Sequence, residues 1–344
     1  MAIIEARGLA RTFTSRKRVV EAVRGVDLSV EPGEIVGLLG PNGAGKTTTL
    51  RMLTTLLRPT GGTAVIAGAD LLRDPAGVRR KIGFVPQASG QTLGGTNRKS
   101  LVVEELLDQA AAFRIPAAVT HRRVAALIDQ LDLTGLDQRY VGSLSGGQRR
   151  RLEIGIGLIH QPAVVFLDEP TTGLDPQSRA ALWDHIRRMR TDLGATVFLT
   201  THYLEEADSL CDRLFIVDHG RTVAVGTPSS LKQQVAGDVI SLDVTAGAVP
   251  VHALLAGRPN VREVTVDNST VRLTVADGES TLPALLRVLD SAGILVSRIS
   301  LTRPTLDDVF LALTGRSLRD GTAAGSRPSA SVGDREGRAD VVLQ

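Results

Sequence analysis

Residues 40–48 read Gly-Pro-Asn-Gly-Ala-Gly-Lys-Thr-Thr, which fits the spacing G-x-x-x-x-G-K-[ST] through Gly40, Gly45, Lys46 and Thr47. An apolar run, Ile35 to Leu39, precedes the loop, and Thr48 to Leu57 has the composition and spacing of a helix. Strand, glycine-rich loop and helix is the context that turns this spacing into a mechanism. Glycines let the backbone wrap until successive N–H groups converge on an anion, and the helix start adds its dipole and unpaired donors. There Lys46 neutralises the β- and γ-phosphates of a nucleotide, and the Thr47 hydroxyl ligates Mg²⁺. The alternative, an ordinary glycine turn before a helix, has no use for the lysine or the hydroxyl.

Three further segments carry chemistry-bearing side chains. Ala163 to Leu167 is a short apolar run with Asp168 and Glu169 at its carboxyl end. Two carboxylates so placed can divide the work, Asp168 in the Mg²⁺ shell and Glu169 as general base for the attacking water; a solvated strand end is the plainer alternative. Ser145, Gly146 and Gly147 open a helix-like stretch about twenty residues upstream. They form a second anion-binding end in a chain with one phosphate loop. His202 follows the strand-like Thr196 to Thr201, where its ring can reach a terminal phosphate. A histidine at a strand end is also common in a purely structural role.

In this order the segments resemble the ATP-binding cassette (ABC) ATPases. Gly40, Pro41, Asn42, Gly43, Ala44, Gly45, Lys46, Thr47 and Thr48 match that family's first phosphate motif. Leu144-Ser145-Gly146-Gly147-Gln148 matches its signature letter for letter. Val164 to Pro170 matches the second phosphate motif, Gly173 to Asp175 the dimer-contact loop, and Thr201-His202 the switch-histidine segment. Gln87 falls where the family carries its coupling glutamine, which also approaches the metal. Phe13 stands where the family stacks adenine on a tyrosine, and a phenyl ring keeps the π-face while losing the hydroxyl.

The resemblance implies ATP and Mg²⁺ as cofactors and two cassettes docked head to tail. Ser145, Gly146, Gly147 and Gln148 of one chain then close over the γ-phosphate held by the other, with Asp175 at the contact. One copy of each motif and no internal repeat make a homodimer the simplest assembly.

These groups need a parallel sheet to position them. Ile35–Leu39, Ile82–Val85, 163–167 and 196–200 are near-continuous apolar runs separated by helical stretches, as in a sheet buried on both faces. Val102 to Leu133 shows helical spacing with breaks at Pro116 and Gly135, which the resemblance makes a helical subdomain that touches a membrane partner. Ala88 to Ser100 reads as a mobile loop. Past Pro228 and a helix-like Ser229 to Val235, the order becomes β-α-β-β-α-β, with a turn at Asp267-Asn268, as in a small ferredoxin-like module. Leu306, Val309, Phe310 and Leu313 form one face of a closing helix. The expected fold is an α/β ABC-type nucleotide-binding domain with a helical subdomain over 1–230, then an α+β regulatory or dimerising module over 238–315. A disordered tail follows over 316–344.

Length and composition set bounds. The 344 residues are 42% hydrophobic and 22% charged, with a formal net charge of +3, the balance of an ordinary globular protein. Charges are spread, without a basic arm, so no nucleic-acid partner is expected. The one cysteine, Cys211, suggests helix packing. No uncharged run approaches the roughly 18 apolar residues needed to span a bilayer, and the first residues lack an export signal. A soluble chain at the cytoplasmic face of a bacterial membrane is expected.

Pro304 to Gly315 resembles the carboxyl-terminal motif of daunorubicin-resistance-type ABC exporters, whose ATPase pairs with a multispanning permease of the ABC-2 type on a separate chain. The implied function is to power efflux of a hydrophobic drug, antibiotic or lipid-like compound. A soluble ABC ATPase of translation or DNA repair is the alternative. Those usually carry tandem cassettes or long inserted coiled coils, and neither pattern occurs here. A drug-sequestering protein fits poorly with 3% aromatic residues.

Overall fold

The computed structural model describes residues 1–15, 18–87, 97–235, 237–244, 248–267 and 270–315. Two strands open the chain as an antiparallel pair, β1 (Ile4–Ser15) and β2 (Arg18–Val30), with Phe13 opposite Val20. Bulges between Ala6 and Thr12 let the pair continue through register shifts, over 12 and 13 residues. β3 (Ile35–Leu39) delivers the glycine loop and α1 (Lys46–Leu53). This helix stops before the expected Leu57: the Thr54 hydroxyl donates back to the Leu50 carbonyl, and Thr55 turns left-handed at φ 64°. β4 (Gly61–Ile66) and β5 (Ala69–Asp70) complete a sheet of order β2-β1-β4-β5, and α2 (Pro75–Lys81) leads into β6 (Ile82–Val85).

Next come α3 (Val102–Ala112), α4 (Ala117–Gln130) and α5 (Gly146–Leu158), with the chain breaking at Pro116 as expected. β7 (Val164–Asp168), α6 (Pro176–Leu193), β8 (Thr196–Thr201), α7 (Leu204–Leu210), β9 (Arg213–Asp218), β10 (Arg221–Gly226) and α8 (Pro228–Val235) follow. The second sheet has the order β10-β9-β3-β8-β7-β6. Its five strands from β9 to β6 run parallel, and β10 joins antiparallel. Every residue of β3, β7 and β8 is buried, because both faces are covered. Val36, Leu38, Phe166 and Phe198 face the β1–β2–β4 layer, while Ile35, Leu39, Leu167 and Leu199 face the helices. Cys211 lies just past α7, buried; a Cβ placed on Gly37 would meet its sulfur at 2.6 Å, so the strand needs glycine there.

Parallel strands release their carboxyl ends at one edge of the sheet, where ligands of such sheets gather. Leu39 pairs with Thr201 and Asp168 with Thr200, and this register sets the glycine loop, the two carboxylates and His202 side by side.

The carboxyl-terminal part comprises β11 (Asp238–Val244), α9 (Ala248–Leu255), β12 (Val261–Asp267), β13 (Thr270–Val275), α10 (Gly278–Ser291) and β14 (Val296–Thr302). Its antiparallel sheet has the order β12-β13-β11-β14, the ferredoxin-like arrangement, over its own core of Ile240, Leu242, Leu273, Leu285 and Leu289. The closing helix α11 (Leu306–Thr314) departs from expectation. Leu306, Val309 and Phe310 are buried in the same core as Leu231 of α8, on the first unit and not on the module. Leu313 is 41% exposed, because the last turn of α11 finds no cover among the described residues. The expected tail over 316–344, residues 88–96 of the expected loop and Asn268 of the expected turn lie outside the described residues.

Candidate active site

The loop between β3 and α1 can be built only with glycine at several points. Gly43 and Gly45 have φ of 83° and 102°, conformations that side chains disfavour. A Cβ on Gly40 would sit 2.3 Å from the Val217 carbonyl oxygen, and one on Gly45 2.5 Å from that of Ala22. The loop therefore lies tight against the strands around it. Lys46 begins α1 and is buried; its Nζ donates to the carbonyls of Gly40 at 2.7 Å and Pro41 at 3.1 Å. Burial lowers its pKa, opposed by Glu169 and Asp168. The first N–H groups of α1 have no intrahelical acceptor by position, so the loop can offer them, with Lys46, to a polyanion.

Asp168 ends β7. Its Oδ1 accepts from the Thr200 hydroxyl at 2.6 Å and the Thr47 hydroxyl at 3.2 Å. Burial raises its pKa against the pull of those two hydroxyls, and a cation alongside would restore the ionised form. Thr47 and Asp168 are hard oxygen donors of the kind Mg²⁺ shares with phosphates. The residues present thus fit that ion.

Glu169 stands at φ 43°, left-handed for a non-glycine residue and just before Pro170. Such a backbone costs on the order of 1–3 kcal/mol and persists only where its surroundings hold it. Its N–H is bonded to the Thr200 hydroxyl at 3.0 Å. Oε2 of its carboxylate accepts from Gln87 Nε2 at 2.8 Å and from the Thr172 hydroxyl at 3.2 Å. Oε1 lies 3.3 Å from His202 Nδ1 and 3.6 Å from Lys46 Nζ. Burial by itself would raise the Glu169 pKa, yet the nearby His202 and the Lys46 ammonium outweigh it and hold the carboxyl below its ordinary range. The carboxylate is thus ionised and stands at the mouth of a phosphate-binding loop, the two conditions for accepting a proton there.

Lys46, Thr47, Gln87, Glu169 and His202 share one cleft of about 780 Å³, lined also by Phe13, Val20, Ala22, Asn42, Gly43, Gly45, Thr48 and Thr172. Asp168 lies behind Thr47 rather than in the lining of the cleft. Gly40, Pro41 and Ala44 shape the loop without lining the cleft: Pro41 accepts from Lys46, and the Ala44 carbonyl accepts from the Gly220 N–H at 3.0 Å. Phe13 lies within β1, 40% exposed, and the Arg11 guanidinium stands 4.7 Å from its ring centre. A planar base has the ring's other face to stack on.

The signature residues lie elsewhere. Ser145 caps α5: its Oγ accepts from the Gln148 N–H at 3.2 Å, and its N–H donates to Gln148 Oε1 at 2.9 Å. This is a capping box, and the Ser-x-x-Gln spacing carried that signal. Asp175 caps α6, accepting from the Ser178 N–H at 2.9 Å and its hydroxyl at 2.6 Å. A Cβ on Gly147 would reach Ser178 Oγ at 2.9 Å, so α5 and α6 meet closely at Gly147. Ser145, Gly147 and Gln148 line a second cleft with Gln177, Ser178 and Ala181, and none of Ser145, Gly146, Gly147, Gln148 or Asp175 lines the first. Thr200, Thr172, Arg11 and Arg150 escaped the sequence reading. Thr200 and Thr172 are hydroxyls inside or beside apolar segments, and Arg150 is the middle of three consecutive arginines with nothing local to set it apart.

The model of the ABC transporter family matches residues 23–172, and that of the C-terminal domain of DrrA1-3-like ATP-binding proteins matches residues 226–314. The chain is 44% identical over 312 residues to the daunorubicin resistance ATP-binding protein DrrA2 of Streptomyces coeruleorubidus, covering 89% of this chain and 94% of that one. It is 40% identical over 320 residues to the doxorubicin resistance ATP-binding protein DrrA of Mycobacterium tuberculosis H37Rv, covering 91% and 94%. Among solved structures it is similar to cbiO1 of Clostridium perfringens, part of the ABC transporter complex cbiONQ. The TM-score is 0.60 at 26% identity, over 67% of this chain and 90% of that one.

Proposed function

Because this chain belongs to the ABC transporter family and is an ATPase of that family, we propose that it powers the export of a hydrophobic drug or lipid-like compound through a separate permease of the ABC-2 type, at the cytoplasmic face of a bacterial membrane. The observation that carries the catalytic part is the Glu169 carboxylate, held between Gln87, His202, Thr172 and Lys46 at the phosphate loop. Phe13 stacks the adenine, the loop and Lys46 hold the phosphates, and Glu169 takes a proton from the attacking water. Gln87 and His202 orient that carboxylate. Thr47 and Asp168, together with Gln87, would hold Mg²⁺, which would supply charge neutralisation at the phosphates. Ser145, Gly146, Gly147 and Gln148, with Asp175 at the contact, complete the site of a second copy in a head-to-tail homodimer. Their position in a separate cleft supports this arrangement.

Export is favoured over translation or DNA repair by the relatives' names, which are those of resistance proteins. No helix of the described residues is long and apolar enough to cross a membrane, which supports a channel on another chain. The test uses inside-out vesicles carrying this chain together with a candidate multispanning permease. ATP-dependent uptake of daunorubicin or a related amphiphile is expected, lost with Glu169→Gln. Uptake that proceeds equally without ATP would refute the reading.

A further inference from the structure

Arg150, on α5, is 2% exposed, a rare place for a guanidinium. Its Nε donates to the Pro170 carbonyl at 2.9 Å and its Nη2 to the Asp168 carbonyl at 3.2 Å. Its Nη1 donates to the Pro86 carbonyl at 2.6 Å and to Glu153 Oε2 at 2.7 Å. Asp168 and Pro170 bracket Glu169, and Pro86 precedes Gln87. One cation therefore grips the main chain on both sides of the carboxylate and just before the amide that orients it. The grip falls where the backbone most needs holding, at the left-handed Glu169. Only a planar fork with several fixed donors can serve three carbonyls lying in different directions; a lysine ammonium has a single centre.

Ser145 caps the start of the same helix, little more than a turn before Arg150, and lines the second cleft. We propose that Arg150 is a positioning residue that latches the signature helix to Glu169 and Gln87 of its own chain. A displacement of α5 by a nucleotide at Ser145 and Gly147 then reaches the proton acceptor of the chain that carries it. A rigid element that lines one site and is hydrogen-bonded to the main chain of the other is a physical carrier of such coupling. The proposal rests on Glu169 being the general base.

Arg150→Lys, Glu169→Gln and the double variant, all in the full-length chain, test it. Arg150→Lys is expected to keep MgATP affinity within about threefold while kcat falls roughly ten- to a hundredfold, because a small misplacement of the base costs rate and not binding. In the Glu169→Gln background the same change should lower the residual rate by less than about twofold, since the group it positions is gone. A merely structural role would lower the melting temperature and leave kcat of the folded fraction alone. A kcat within about twofold of wild type overturns the proposal, as do equal losses in both backgrounds. If Arg150→Lys does not fold, Glu153→Gln decides: loosening Nη1 should reduce kcat severalfold at unchanged affinity, and an unchanged kcat overturns the latch. Wild-type turnover by Glu169→Gln would instead overturn the base assignment beneath it, so the two failures are told apart.

Discussion

Gln87 and Glu169 meet at 2.8 Å, amide to carboxylate, from the ends of neighbouring parallel strands. Val85 of β6 pairs with Leu167 of β7, and each of the two side chains stands two residues beyond that pair. The contact is thus a consequence of sheet register, and any displacement of Gln87 acts directly on the carboxylate.

Glu169→Gln should keep nucleotide binding and slow hydrolysis by ~10²–10⁴-fold, the range for loss of a general base. The closed dimer should then accumulate, because its γ-phosphate is not discharged. Single-turnover hydrolysis and light scattering with ATP measure both effects; turnover within a few-fold of wild type contradicts the assignment.

Lys46→Ala removes the buried ammonium at the centre of the loop. A charge-assisted contact to an anion contributes about 1.5–3 kcal/mol, so ATP affinity should fall roughly ten- to a hundredfold. Titration with a fluorescent ATP analogue checks this, and unchanged affinity would mean that the loop does not hold the phosphates.

The Glu169 carboxyl should titrate below the ordinary glutamate value of 4.5, since His202 and Lys46 outweigh its burial. A depressed folded value favours the ionised form in the native state. Its contribution to stability is complete above the unfolded value and is lost as pH falls through the folded one. Glu169 should therefore stay ionised at all pH values above that range. Carboxyl-region ¹³C spectra of wild type against Glu169→Gln give the measurement, and a Glu169 resonance titrating above 4.5 would falsify the stated balance.

Mixing Lys46→Ala with Ser145→Arg, each inactive alone, should restore partial ATPase activity. A mixed dimer has one site carrying both lesions and one carrying neither. If strict alternation suppresses turnover, the intact site should still retain one nucleotide tightly. Normal hydrolysis by either variant as a dilute monomer rules out a composite site.

The phosphate loop was legible because its chemistry is local: residues 40–48 carry the glycines, the lysine and the hydroxyl in one contiguous stretch. The strands of the parallel sheet were legible too, since burial on both faces leaves unbroken apolar runs such as Val164 to Leu167. The start of a helix at Ser145 was equally local, marked by the serine and two glycines that open it. Phe13 was located by position in the motif order, while its place inside β1 depended on bulges that no local pattern marks.

Arg150 shows what only the tertiary structure decides. Its partners Pro86, Asp168 and Pro170 lie on different segments, and the arginine looks no different in sequence from Arg149 or Arg151. The face of α11 shows the same limit. Its spacing marked Leu306, Val309 and Phe310 for burial, but only packing chose α8 over the module as their cover and left Leu313 in solvent. Sequence by itself determined which residues could bind phosphate and which segments must be buried, because backbone conformation and hydrophobic periodicity act between near neighbours. Which carbonyl meets which guanidinium, and which face covers which, is set by contacts between distant segments, whose geometry exists only once the sheet register and the helix packing are in place.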